Sequence, residues 1–155
     1  MPTNLYGVND NFDQMNSHVI PALIKKFHDA KIKNKKKITV WGTGKVYRDF
    51  LYVDDLASAI KEVFELKQKE YEKLIKGVSH LNVGSGQQIS IKKLAEKIKS
   101  VVNFKGKIEF DIKRPDGMRL KLLDNSKILK IKWKPNIDLT EGLSKTYEFY
   151  KSSLR

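Results

Sequence analysis

Cysteine is absent from this 155-residue chain, histidine occurs three times, and acidic side chains are outnumbered 31 to 18 by basic ones. Without cysteine there is no disulfide framework, no thiolate metal site and no cysteine nucleophile, and no metal-ligand set is expected. No apolar run approaches the length that spans a bilayer, and no charged-then-apolar leader opens the chain. There is no low-complexity linker and no internal repeat. What is present is 40% hydrophobic and 32% charged residues, well mixed, which is enough for one compact domain and too little for two. A soluble cytoplasmic domain over residues 1–155 is the expectation.

The net charge of +13 invites a nucleic-acid reading, and the kind of base argues against it. Only Arg48, Arg114, Arg119 and Arg155 are arginines; the remainder are lysines spread along the chain. Base readout and bidentate phosphate clamps favour the guanidinium fork, whereas lysine is a hydrated point charge. The dense run Lys35-Lys36-Lys37 reads as a solvated connection. Such a field draws in small polyanions, so phosphorylated ligands rather than DNA are the expected partners.

Periodicity sets out the elements. Residues 8–16 are polar and turn-rich. Ser17 reads as a helix N-cap with Pro21 in the first turn, and Ile20, Leu23, Ile24 and Phe27 form the apolar face of a helix ending near Ala30. Lys37–Trp41 alternates as a strand, Gly42-Thr43-Gly44 turns the chain back, and residues 50–53 form a second strand. Asp54 or Asp55 reads as the cap of a helix through Leu56, Ile60, Val63, Phe64 and Leu66. A weaker helical stretch holds Tyr71, Leu74 and Ile75. A strand at 81–83 and a glycine turn precede a helix capped by Ser90, with Ile91, Leu94, Ile98, Val101 and Val102 inward. Residues 107–112 alternate as a strand, 114–117 form a turn, 126–131 are briefly helical, and a last helix covers 140–150. This order predicts an α/β domain of α+β-like character: a small mixed sheet with flanking helices. No strand leads into a G-x-G-x-x-G turn, so nothing in the chain cradles a dinucleotide pyrophosphate unaided.

The motifs become informative in sequence. Pro2-Thr3-Asn4-Leu5-Tyr6-Gly7 is followed by Ser17-His18-Val19-Ile20-Pro21-Ala22-Leu23, Val40-Trp41-Gly42-Thr43-Gly44 and Arg48-Asp49-Phe50-Leu51-Tyr52-Val53-Asp54-Asp55. His80-Leu81-Asn82-Val83-Gly84, Arg114-Pro115-Asp116-Gly117 and Lys121-Leu122-Leu123-Asp124 come next. This series resembles the C-terminal half of the GDP-L-fucose synthases, NADPH-dependent GDP-4-keto-6-deoxy-mannose epimerase/reductases of the extended short-chain dehydrogenase/reductase family. The resemblance covers nearly the whole chain. It implies a substrate-binding region, with residues 1–7 the end of a Rossmann strand. The family's glycine loop, catalytic serine, Tyr-x-x-x-Lys pair and cysteine belong to a half not present here. The sole Tyr-x-x-x-Lys spacing, Tyr147 to Lys151, reads as coincidence.

By that resemblance His18 is the acid that returns a proton at C3 and C5 of the sugar, on the face opposite to its removal, and it borders the nicotinamide; an imidazole suits that task. Taken alone it reads as a polar helix-start residue. Pro2, Thr3, Asn4 and Leu5 match the segment touching the nicotinamide end of NADP(H), a cofactor held mainly by the absent half. Lys26, Trp41, Arg48, Asp116 and Lys121 match substrate-contacting positions. Lys26 stands where the family often carries arginine, and Trp41 read alone is core. Arg48 offers a fork for a pyrophosphate, and Asp116 a carboxylate for a guanine edge. Gly117-Met118-Arg119-Leu120-Lys121 replaces the family's Gly-Thr-Pro-Arg-Lys. His28 and His80 fit no role. Two rivals stand beside the enzyme reading: a non-catalytic nucleotide-sugar-binding module, or one chain of a split enzyme. The partners implied are GDP-4-keto-6-deoxy-mannose or GDP-L-fucose and the missing Rossmann half or a second chain, with no membrane. A sheet built to sit beside a Rossmann domain is also expected to expose apolar surface.

Overall fold

The computed structural model describes residues 1–13, 16–78 and 80–154, so Gln14 and Met15 of the polar 8–16 loop lie outside the described residues. Among the described residues twelve elements follow one another: β1 (Asn4–Tyr6), α1 (Val19–Ile32), β2 (Lys37–Trp41), β3 (Tyr47–Tyr52), α2 (Val53–Phe64), α3 (Gln68–Ile75), β4 (Gln88–Ser90), α4 (Ile91–Val102), β5 (Lys107–Asp111), β6 (Leu120–Lys121), a 3-10 turn (Ile128–Ile131) and α5 (Leu139–Ser152).

β3 is the spine. Its second half, Phe50 to Tyr52, pairs in parallel with β1; its first half pairs antiparallel with β4 and parallel with β6. Successive side chains of a strand point to opposite faces. Tyr6, Phe50 and Tyr52 therefore join one core with α1, α4 and α5, while Leu51 joins a second core with Ala59, Leu74, Leu81, Val83, Ile128 and Trp133. The result is a thin mixed sheet between two helical layers. β2 does not fold back onto β3, as the Gly42–Gly44 turn suggested. It pairs in parallel with β5, residue for residue from Lys37 opposite Lys107 to Trp41 opposite Asp111, in a separate two-stranded sheet.

Several expectations need correcting. The N-cap of α1 is His18, whose side chain makes no capping bond, and the helix runs on to Ile32. Ser17 sits one residue earlier with its hydroxyl buried and unpartnered. Neither Asp54 nor Asp55 caps α2: Tyr52 holds the N-cap position. Asp55 is buried and its two oxygens accept the backbone N–H groups of Asn136 (2.9 Å) and Ile137 (3.1 Å), which fastens the chain before α5 to the sheet. Ile60 and Phe64 point outward. With Val53 they form an exposed apolar stripe along α2, and Phe64 is 84% exposed. Residues 81–83 contribute only a bridge from Val83 to Pro2 rather than a strand. Ser90 does cap α4, accepting Lys93 N–H at 3.2 Å.

The buried carboxylate of Asp49 is the other polar anchor. It accepts the Ser85 N–H at 3.1 Å and the Ser85 hydroxyl, with Gly86 N–H at 3.4 Å. A Cβ at Gly84 would collide with it, so the 84–86 turn closes on Asp49 only because glycine stands there. The same residue's carbonyl accepts Thr3 Oγ1 at 3.1 Å and Asn4 Nδ2 at 2.8 Å, holding β1 in register.

Removing either carboxylate strands buried donors. Asp55→Ala and Asp49→Ala are each expected to cost about 2–4 kcal/mol, and Gly84→Val to cost at least as much by displacing the Asp49 carboxylate, all measured by urea unfolding. A loss under about 0.5 kcal/mol at both aspartates would contradict this account of the fold.

Candidate functional site

The first turn of α1 separates two clefts. On one side, residues 3–10 leave β1 and curl past α1, and with His18 and Val53 they enclose a cleft of about 410 Å³. A cavity of this size lies in the range of small-ligand sites. Its floor is the end of β1, where Tyr6 is buried and burial pushes its phenol up, so it stays protonated. His18 stands at the mouth with its imidazole exposed. Thr3 and Asn4 line the same cleft, each with a donor committed to the Asp49 carbonyl. Pro2 lies at the outer edge, bridged to Val83. Asp10, which the sequence did not single out, also lines this cleft; one oxygen, Oδ2, is buried without a hydrogen-bond partner among the described residues.

On the other side of α1, Ser17, Val19, Ala22, Leu23, Lys26, Val40, Trp41 and Ile91 enclose an apolar cleft of about 450 Å³. The reading of Trp41 as core is overturned: Ile38 and Val40 take the inward positions of β2, so strand alternation turns Trp41 out, 66% exposed. Two cations face its ring, Lys26 Nζ at 5.9 Å and the Arg114 guanidinium carbon at 5.0 Å from the centroid. Lys26 also donates to the Thr39 carbonyl at 2.9 Å, and burial of its stem lowers its affinity for the proton. Arg114, which the sequence offered only as part of a turn, thus joins Lys26 over the indole that lines this cleft.

The turn at Gly42–Gly44 meets the 114–119 loop at its edge. Asp116 accepts the Thr43 N–H at 2.8 Å and the Thr43 hydroxyl at 2.6 Å. Gly42, with φ +79°, leaves the space its carboxylate needs. Arg48 donates to the carbonyls of Tyr47 (2.6 Å) and Met118 (2.7 Å), and Tyr47 N–H donates to the Arg119 carbonyl at 2.9 Å. These bonds secure the loop that lacks the family's proline. Lys121, exposed on β6, pairs in register with Arg48. Lys26, Trp41, Arg48, Asp116 and Lys121 therefore belong to the two connected neighbourhoods of β2 and β3, and Thr3, Asn4, Leu5 and His18 to the first cleft. Tyr147 is far from that chemistry in function: it is buried in the α1–α5 core and its hydroxyl lies 3.1 Å from His28 Nδ1.

The Thr43 hydroxyl and N–H hold the Asp116 carboxyl below the usual carboxylate range. A depressed native value means the loop contact is complete above the ordinary aspartate range and is lost only as pH falls through the lowered one. Protease cleavage within residues 114–119 is expected to stay slow from neutral pH through the ordinary aspartate range and to rise below it. Asp116→Asn should weaken the protection at every pH. Protection unchanged in that variant would refute the anchor.

The model of the NAD dependent epimerase/dehydratase family matches residues 1–84. GDP-L-fucose synthase 1 of Arabidopsis thaliana is 49% identical over 150 residues, covering 97% of this chain and 44% of that protein. GDP-L-fucose synthase of Escherichia coli K12 is 45% identical over 151 residues, covering 97% and 47%. Among solved structures, a GDP-mannoheptose C4 reductase from Campylobacter jejuni with NADP bound superposes with a TM-score of 0.81 at 34% identity, covering 97% of this chain and 51% of that one. The chain spans less than half the length of the curated relatives it matches. With the sheet, the clefts and these matches in agreement, the chain belongs to the NAD dependent epimerase/dehydratase family and is a partial homologue of its GDP-L-fucose synthases.

Proposed function

We propose that this chain is the GDP-sugar-binding part of an NADPH-dependent, cytoplasmic epimerase/reductase that converts GDP-4-keto-6-deoxy-mannose to GDP-L-fucose. The observation that carries this reading is the position of His18. Its imidazole borders the cleft at the end of β1, and its neighbour Ser17 lines the cleft of Lys26 and Trp41. A sugar ring reaching from the second cleft toward the first would meet His18 at the boundary.

The C4 ketone acidifies the C–H bonds at C3 and C5. After a base on the missing half removes such a proton, the His18 imidazolium returns one to the same carbon from the opposite face, inverting it, and is reprotonated by solvent at its exposed position. Trp41 supplies a flat wall, Lys26 and Arg114 supply positive charge beside it, and the unpartnered Ser17 hydroxyl offers a bond to a sugar hydroxyl. Arg48, Asp116 and Lys121 place the loop that would close on the nucleotide. NADPH, when bound, supplies hydride to C4; Pro2, Thr3, Asn4, Leu5 and His18 would border its nicotinamide end. With no glycine loop in this chain, the rest of the cofactor would rest on chain supplied from elsewhere.

A second reading, a nucleotide-sugar-binding module or one chain of a split enzyme, is favoured by the buried, structurally employed Tyr147 of the sole Tyr-x-x-x-Lys spacing. Two measurements separate them. In the complete enzyme, His18→Ala is expected to abolish deuterium uptake from D2O at C3 and C5 while NADPH binding is retained; undiminished uptake would sink the catalytic role. Calorimetry on the chain itself should show GDP-sugar binding weakened roughly tenfold by Trp41→Ala. Binding without restoration of exchange when the other half is added would leave the module reading in its place.

A further inference from the structure

We propose that Asp10 is the positioning residue of His18: its uncommitted carboxylate oxygen takes the imidazole N–H and so decides which ring nitrogen faces the substrate. Asp10 follows a turn in which Asn9 adopts the left-handed conformation at φ 63°, and this turn carries its side chain into the cleft that His18 borders. Oδ1 is committed to the Asn11 N–H at 2.8 Å. Oδ2 is buried and has no hydrogen-bond partner among the described residues. A carboxylate oxygen left so is costly, and a side chain or water that donates to it relieves that cost.

The donors available in the cleft are few. Thr3 and Asn4 are tied to the Asp49 carbonyl, and Tyr6 is sealed in the core. Among the described side chains the Asn9 amide and the His18 ring remain, with the Gly7 N–H from the backbone, and of these the imidazole is the one able to bring a complementary charge. The ring makes no capping bond and is exposed, so it is free to turn inward. Burial raises the Asp10 carboxyl above its ordinary value, while the Asn11 N–H, the His18 charge and the Gly7 N–H draw it back. Among the residues of β1, α1 and α2 that line the cleft, the other titratable group is Tyr6, which burial keeps neutral. Asp54, on α2 beside Val53, is exposed. An imidazole that must present one nitrogen to carbon gains by having the other held, the logic of a base oriented by a third group.

The functional meaning of this pairing rests on the proposed role of His18; the pairing itself does not. Nuclear magnetic resonance on the intact chain tests it. The Asp10 carboxyl carbon is expected to titrate above the ordinary aspartate range, and its midpoint should move higher still in His18→Ala, an exposed substitution that leaves the fold intact. In Asp10→Asn the His18 ring nitrogens should shift from one dominant tautomer toward the mixture of free imidazole, with Asp10→Glu restoring part of the preference. An unmoved Asp10 midpoint in His18→Ala, or an unchanged tautomer ratio in Asp10→Asn, overturns the inference. In the complete enzyme, Asp10→Asn should slow exchange at C3 and C5 by about 10–100-fold with NADPH binding retained. If the ring spectra respond but His18→Ala leaves exchange untouched, the pairing stands and the catalytic reading of His18 fails. If the spectra do not respond, the pairing fails whatever the exchange rate.

Discussion

The buried carboxylate of Asp49 is the contact from which the rest of the architecture follows. A charge fully removed from water is tolerable only when its oxygens are met by donors, and here the donors come from one turn, at Ser85 and Gly86. The same residue's carbonyl collects the Thr3 and Asn4 side chains. β3 is thus tied on one flank to β1 and on the other to the turn that leads into β4 and α4. Because β1 ends in the cleft that His18 borders, the placement of the candidate chemistry is inherited from an interaction buried in the sheet.

The second organising feature is the alternation of β3. Phe50 and Tyr52 face the α1, α4 and α5 layer, Leu51 the α2 and α3 layer, and Asp55 then fastens the approach to α5. α1 is held with its first turn standing between the two clefts. Ser17 and His18 are neighbours in the chain but serve different cavities. The charge excess finds little employment inside this frame: most lysines are solvated, and those with a structural task, such as Lys31 to the Val102 carbonyl and Lys97 to the Thr140 hydroxyl, reach across helix ends.

Much of this was legible in the residues. The helices α1, α4 and α5, the strands β2 and β5 and the Ser90 cap all follow from local periodicity and capping chemistry, which depend on neighbours three or four positions away. The family membership was legible because an ordered series of short motifs is far more specific than any one of them. The failure at Asp55 has a tertiary cause. Ser17, Asp54 and Asp55 have the composition of helix caps, yet Asp55 is used by Asn136 and Ile137, more than eighty residues away, and no local rule anticipates that. Trp41, core when read alone at the end of an apolar strand, is turned to solvent by the alternation of β2.

The sequence by itself determined the local elements, the two-faced character of each strand and the identity of the candidate groups, because these rest on backbone sterics and side-chain period. Only the tertiary structure decided that β2 pairs with β5 rather than β3, that Asp49 and Asp55 are anchors, that Arg114 and Lys26 share one indole, and that Asp10 and His18 line one cleft. Each of these is a contact between distant segments. Its energy comes from burial and from satisfying polar groups in the folded chain, quantities that do not exist until the segments meet.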